Sequence, residues 1–134
     1  STSGKSWLAL QWALEVLQHG AVVYVDYEDS EIAIVNRLLA LKANPRHVAD
    51  RFFYVQPEGS FGPAEKAAMN AVFDRLNPDL IVIDAFVGAL TAEGLDENVA
   101  QDVDRWQQNV GRWLIQASGG AAILLLDHVK KDPD

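Results

Sequence analysis

The sequence predicts an α/β domain of three layers, built on a mostly parallel sheet. Two observations carry this expectation. Short apolar runs of strand length alternate along the chain with longer stretches of helical periodicity, the signature of repeated βαβ units. Three of the four apolar runs then end in acidic residues, at Asp26, Asp84 and Asp127. In open parallel sheets, ligands bind beyond the C-terminal ends of the strands, so these ends are where chemistry is expected.

The elements follow in order. Residues 5–18 place Trp7, Leu10, Leu14 and Leu17 at helical spacing, with Leu8, Trp12 and Val16 as a second apolar row. Two rows predict a well-buried helix, stopped by Gly20. Residues 21–25 (Ala-Val-Val-Tyr-Val) read as a strand buried on both faces. Ser30 is the expected N-cap of a helix over 31–42, which Asn44-Pro45 ends. Phe52 to Val55 is the second strand, and the Gly- and Pro-rich segment 56–63 is a loop. A helix over 64–76 closes at Asn77-Pro78, and Leu80 to Ile83 form the third strand. Residues 85–97, with two glycines, read as a loop before a long helix over 98–117. That helix carries Val99, Val103, Trp106, Val110, Trp113 and Leu114 along one side. Gly119-Gly120 breaks it, and residues 121–126 form the fourth strand.

Bulk properties narrow the function. The chain has 134 residues, 49% of them apolar, which predicts one domain, 1–134. No apolar block reaches the roughly 18–20 residues of a membrane helix, and no signal-peptide pattern opens the chain. No membrane partner and a cytoplasmic location are therefore expected. There is no cysteine, which excludes disulfides, zinc-thiolate sites and thiol nucleophiles. The net charge of −8 argues against a broad nucleic-acid-coating surface, though not against a strand threaded past one small positive feature.

The chain opens Ser1-Thr2-Ser3-Gly4-Lys5-Ser6, and Gly4, Lys5 and Ser6 match the last three positions of the phosphate loop G-x-x-x-x-G-K-[ST]. A glycine there lets backbone N–H groups approach phosphate oxygens, the lysine reaches the β- and γ-phosphates, and the hydroxyl ligates Mg²⁺. The helix beginning at this point aims its positive end at the anion. As an isolated tetrapeptide S-G-K-S is a weak signal. Its place before an apolar-periodic helix, in a chain of βαβ units, gives it weight. Ser3, Gly4, Lys5 and Ser6 are the expected nucleotide-binding residues.

Asp84 follows four apolar residues, as a Walker B aspartate does, and its expected task is to hold Mg²⁺. Residue 85 is Ala, so the base that activates water must come from elsewhere. Glu28, just past the first strand, is the expected base. Asp26 and Asp29 compete with it, and each of the three is otherwise a solvated turn carboxylate. His128 could hydrogen-bond a γ-phosphate or merely close its strand. Lys130 and Lys131 could reach a phosphate, a nucleic-acid backbone, or nothing. His19 and His47 read as structural. Trp7, Trp12, Trp106 and Trp113 read as core packing rather than a base-stacking platform.

In order, S-G-K-S-W-L-A-L, V-Y-V-D-Y-E-D-S, L-I-V-I-D and L-L-L-D-H-V-K-K-D resemble the RecA-like AAA-type ATPases. More narrowly, they resemble the RepA-like hexameric helicase group of phage, plasmid and prophage replication modules. The resemblance spans essentially the whole chain and implies a P-loop NTPase (RecA-like) core. It further implies ATP and Mg²⁺ as ligands, self-association into a ring, and action on single-stranded DNA. By it Lys5 and Ser6 match the Walker A pair, Glu28 the catalytic glutamate, Asp84 Walker B, and His128 a γ-phosphate-sensing residue. Asn98 matches a recurrent Asn with no assigned chemistry, and Lys130 or Lys131 could act as a finger on a neighbouring subunit's site. Relative to that family the chain is expected to be truncated, before the first strand and after the sensor strand, leaving the edge beside 121–126 exposed. No Lys or Arg lies between residues 76 and 104, whereas relatives that grip DNA after Walker B carry a basic residue nearby.

Overall fold

The structure, a computed structural model, describes the backbone of residues 4–127 and the side chains of residues 7–127. Four strands, β1 (Val22–Asp26), β2 (Phe52–Val55), β3 (Leu80–Asp84) and β4 (Ala122–Leu126), form an all-parallel sheet of order β2-β1-β3-β4. The chain therefore steps outward from β1 to β2, then returns past β1 to β3. That reversal makes the β1/β3 boundary a topological switch point, where parallel α/β sheets open a ligand crevice. Asp26 and Asp84 stand in register across it.

Both central strands are buried along their whole length, which is why they read as unbroken apolar runs. One face of the sheet packs on α1 (Gly4–Leu17), α2 (Glu31–Ala40) and α3 (Pro45–Arg51), through Leu10, Leu17, Ile34, Leu38 and Val48. The other packs on α4 (Pro63–Leu76), α5 (Phe86–Ala92), α6 (Ala100–Trp106) and α7 (Arg112–Ala117), through Met69, Phe73, Leu90, Trp106 and Leu114. This is the three-layer RecA-like architecture. No helix among the described residues is long and apolar enough to cross a membrane.

Local chemistry sets the boundaries. Ser30 caps α2 as expected, accepting from the Ala33 N–H at 3.2 Å. Asn77 closes α4 in the left-handed conformation, φ 46°, which Asn tolerates better than most residues. Helix α2 does not run to 42 as expected: it ends at Ala40, closed by Leu41 and by Lys42 in the left-handed conformation, φ 72°. Asn44-Pro45 instead begins a further helix, α3, that the sequence reading left out. Asn44 accepts from Arg46 N–H at 2.9 Å, and Pro45 takes the first turn of α3, where its missing N–H costs nothing.

Three further expectations are corrected. Residues 85–97 are not all loop, because Phe86, Ala89 and Leu90 fall at helical spacing and seat α5 on the core. The long helix is interrupted by a π-helical stretch, Gln107–Gly111, between α6 and α7. Trp106, Val110 and Leu114 are the buried residues. Positions four apart drift about 40° per step on a 3.6-residue helix, and a wider π turn reduces that drift, keeping all three on the sheet. Finally, α1 is not buried on both rows: Leu8 is 68% and Trp12 45% exposed. Both lie beside β4, which pairs only with β3 among the described residues. With Ala9, Leu124, Leu125, Leu126 and Asp127 they line an open apolar groove of about 300 Å³.

Candidate functional site

The site is assembled at the C-terminal ends of β1 and β3. Helix α1 runs antiparallel to the strands. Its last turn lies by the sheet's opposite end, where Arg51 Nη1 donates to Leu17 O at 2.9 Å. Leu8, near its beginning, lies by Leu126 and Asp127 at the end of β4. The start of α1, with Gly4, Lys5 and Ser6 in its first turn, therefore faces the same edge as Asp26 and Asp84. Ser3 and His128, and likewise Lys130 and Lys131, lie outside the described residues, as do the side chains of Lys5 and Ser6.

Asp84 is 3% exposed, and Tyr24 Oη donates to its Oδ2 at 2.5 Å. Burial, reinforced by the Asp84 charge, pushes the Tyr24 phenol far above the usual tyrosine range, so Tyr24 is a neutral, permanent donor. The peptide bond between Asp84 and Ala85 is cis. The Asp84 carbonyl accepts from the Tyr27 N–H at 2.6 Å, which ties the turn after β1 to the end of β3.

That turn is organised by Asp26, which is fully buried. Its Oδ1 accepts from the N–H groups of Glu28 and Asp29, at 2.9 and 3.1 Å, and its Oδ2 accepts from Tyr54 Oη at 2.6 Å. A short polar side chain bonding its own backbone two residues on is a turn-former. Asp29 forms an ion pair with Arg37 at 2.7 Å. Burial opposes ionisation of Asp29, but the Arg37 guanidinium outweighs it and holds the carboxyl below its ordinary range. The Asp29 carbonyl also accepts from Gln56 Nε2 at 2.8 Å. Glu28 stands between them with its side chain exposed at the mouth of the crevice. The three carboxylates left open by the sequence thus have separate situations: Asp26 builds the turn, Asp29 pairs with Arg37, and Glu28 faces solvent.

Sequence reading missed the two tyrosines and the role of α5. Tyr24 and Tyr54 read only as strand residues. The available signal was a Tyr two positions before Asp26, on the same strand face. Gly88 read as a loop signal, yet it sits in α5 because Tyr27 packs against it. A Cβ there would lie 2.5 Å from Tyr27 Cβ. Burial, with the Glu93 charge, pushes the Tyr27 phenol up to about 12. Glu93, which follows α5, also accepts from Ser60 Oγ at 3.0 Å and Phe61 N–H at 2.7 Å, pinning the loop after β2. Gly88→Ala is expected to cost about 1–3 kcal/mol by overpacking, read as a lower urea midpoint with unchanged m-value. An unchanged midpoint would show that α5 slides freely off the β1 turn.

The donors suit Mg²⁺ held jointly with a nucleotide. Asp84 offers a hard carboxylate oxygen, buried and braced, and the first turn of α1, which contains Ser6, lies at the same end of the sheet. Among the described residues no group of three or more His, Cys, Asp or Glu side chains could hold a metal ion. Mg²⁺ commonly takes only one or two protein oxygens and completes its shell with phosphate and water, which is what this edge can provide. No curated protein matches the chain significantly. A family model of the AAA domain matches residues 1–134. With that match over its whole length, on an all-parallel α/β core, the chain belongs to the AAA domain family, a family of ATPase-type domains.

Proposed function

We propose that this domain binds ATP and hydrolyses it with Mg²⁺. The observation that carries the reading is the Asp26/Asp84 pair in register at the switch point, with Glu28 exposed just beyond it and the start of α1 facing the same edge. In this reading the N–H groups at Gly4 to Ser6 and the positive helix end bind the phosphates, and Ser3 flanks them. The Lys5 ammonium neutralises β- and γ-oxygens, while Ser6 and Asp84 hold Mg²⁺. Bound Mg²⁺ supplies charge neutralisation on the phosphate oxygens. Glu28 orients a water and takes its proton as the water oxygen attacks the γ-phosphorus, and ADP and phosphate leave. His128 would contact the γ-phosphate.

The biological setting we propose is a cytoplasmic, ring-forming replicative helicase of phage, plasmid or prophage type, hexameric and acting on single-stranded DNA. The support is the order of motifs, ending in L-L-L-D-H-V-K-K-D. One observation favours a second reading, a recombinase-like or regulatory ATPase without unwinding. From Asn77 to Asp104, across the segment that follows Asp84, the chain carries no Lys or Arg, so this segment offers no positive charge to a phosphate backbone. The test is ATP turnover by the full-length protein with and without single-stranded DNA, with Lys5→Ala as the variant that should lose turnover. Stimulation by DNA that weakens as salt rises supports the motor. Turnover indifferent to DNA removes the helicase reading and keeps the ATPase. Tight ATP binding without turnover points instead to a nucleotide-dependent assembly module.

A further inference from the structure

We propose that Tyr24 and Tyr54 are positioning residues of the ATPase site, acting as one repeated diagonal step across the sheet that orients Asp84 and the Glu28 turn. This rests on the ATPase reading above and adds to it two residues that touch neither nucleotide nor metal.

Tyr54, Tyr24 and Val82 stand side by side in register on β2, β1 and β3. Asp26 lies two residues beyond Tyr24, and Asp84 two beyond Val82, so all share one face of the sheet. Tyr54 reaches across to the next strand and two residues forward, to Asp26 at 2.6 Å. Tyr24 makes the same step from β1 to β3, to Asp84 at 2.5 Å. A diagonal neighbour is within reach of an aromatic side chain. Each step delivers a neutral O–H to a carboxylate at the C-terminal rim of the sheet, where the bond is charge-assisted and strong.

The two carboxylates served have different tasks. In the ATPase reading Asp84 would hold Mg²⁺, and the Tyr24 hydroxyl on Oδ2 limits rotation of its carboxylate. Asp26 is fully buried, and both its oxygens are taken up within the protein. It holds the N–H groups of Glu28 and Asp29 through Oδ1 while Tyr54 holds Oδ2. Tyr54 therefore acts through Asp26 on the direction in which Glu28 leaves the strand. Tyrosine hydroxyls taken out of water usually find a hydrogen-bond partner, so one such bond would say little. Here the same step occurs twice, on adjacent strands, and each carboxylate it reaches serves one of the two chemical groups.

The consequences separate. Losing a hydrogen-bond partner of a metal-ligating carboxylate typically costs about 10–100-fold in metal affinity or activity. Tyr24→Phe is therefore expected to cut the factor by which Mg²⁺ tightens ADP binding by about 10-fold, with Mg²⁺-free ADP affinity unchanged. Tyr54→Phe is expected to lower kcat by about 10-fold, with KM for ATP and the Mg²⁺ factor unchanged, because misdirecting a base by one turn costs chemistry and not binding.

The experiment uses the full-length protein, a fluorescent ADP with and without Mg²⁺, steady-state turnover, and a thermal melt of each variant. All measurements are made well below the lower melting point. The expected result is the split just described. If both variants only melt lower, with the Mg²⁺ factor and kcat at parental values, the tyrosines merely pack and the proposal falls. If Tyr24→Phe does not fold, half-buried Tyr54 still decides, since its kcat effect is either present or absent. A parent with no Mg²⁺-dependent binding or turnover overturns the ATPase reading instead, and is seen before any variant is compared.

Discussion

Glu28→Gln is expected to lower the turnover number for ATP by about 10²–10⁴-fold while leaving ATP affinity within a factor of two or so. Glutamine keeps the length and shape of the side chain and can still hydrogen-bond a water. It cannot take the proton that the water releases on attacking the γ-phosphorus. The side chain is exposed, and an exposed substitution away from caps and buried networks usually changes stability by less than about 0.5 kcal/mol. The turn beneath it is made by the Glu28 N–H and not its side chain, so the variant should keep the site's geometry. Turnover measured beside fluorescent-ATP binding separates chemistry from binding. Asp26→Asn is the informative contrast. Its amide nitrogen would face either the Tyr54 hydroxyl or the turn N–H groups, so it should lose stability as well as rate. A Glu28→Gln protein with parental turnover would remove Glu28 from the chemistry and return the role to its competitors, Asp26 and Asp29, or to a group outside the described residues.

What the sequence disclosed, and what it hid, divides along physical lines. Strands β1 and β3 were legible because burial on both faces forces an unbroken apolar run, and Ser30 and Asn77 because caps have few chemical solutions. The carboxylates at 26, 28, 29 and 84 were legible because the C-terminal rim of a parallel sheet is a fixed place in the chain. Which of 26, 28 and 29 faces solvent was not legible. That depends on Tyr54 and Arg37, which meet Asp26 and Asp29 only in space, with Tyr54 lying 28 residues beyond Asp26. Helix α5 was hidden because Gly88 signals a loop locally, and only the fold reveals that Tyr27 needs the room. The exposure of Leu8 and Trp12 was hidden because helical periodicity reports apolar rows without reporting what covers them. Beside the outer edge of β4, nothing among the described residues covers this row.

Trp106→Ala is expected to destabilise the domain by about 3–5 kcal/mol, the range for removing a large buried aromatic. Trp106 is 2% exposed and meets the Phe86 ring edge-on, with centroids 5.0 Å apart at 80°. Gly111, one turn on, packs closely on the indole, since a Cβ there would approach Trp106 Cζ3 to 3.2 Å. The indole is thus held between α5 and the π-helical stretch, and its loss leaves a cavity that neither can collapse into without giving up the Val110 and Leu114 contacts. The effect should reach the site. Phe86 begins α5 two residues after Asp84, so a loosened α5 frees the segment that follows the metal carboxylate. Trp106→Phe keeps the ring-on-ring contact and is expected to lose markedly less stability. Urea unfolding of the three proteins, with the Mg²⁺ dependence of ADP binding measured on each, gives both readings. A fall in stability without any change in Mg²⁺ dependence would confine Trp106 to the core. A Trp106→Ala protein as stable as the parent would mean that α6 does not rest on α5 through this ring, and that the π-helical stretch is held in place by something other than the packing described.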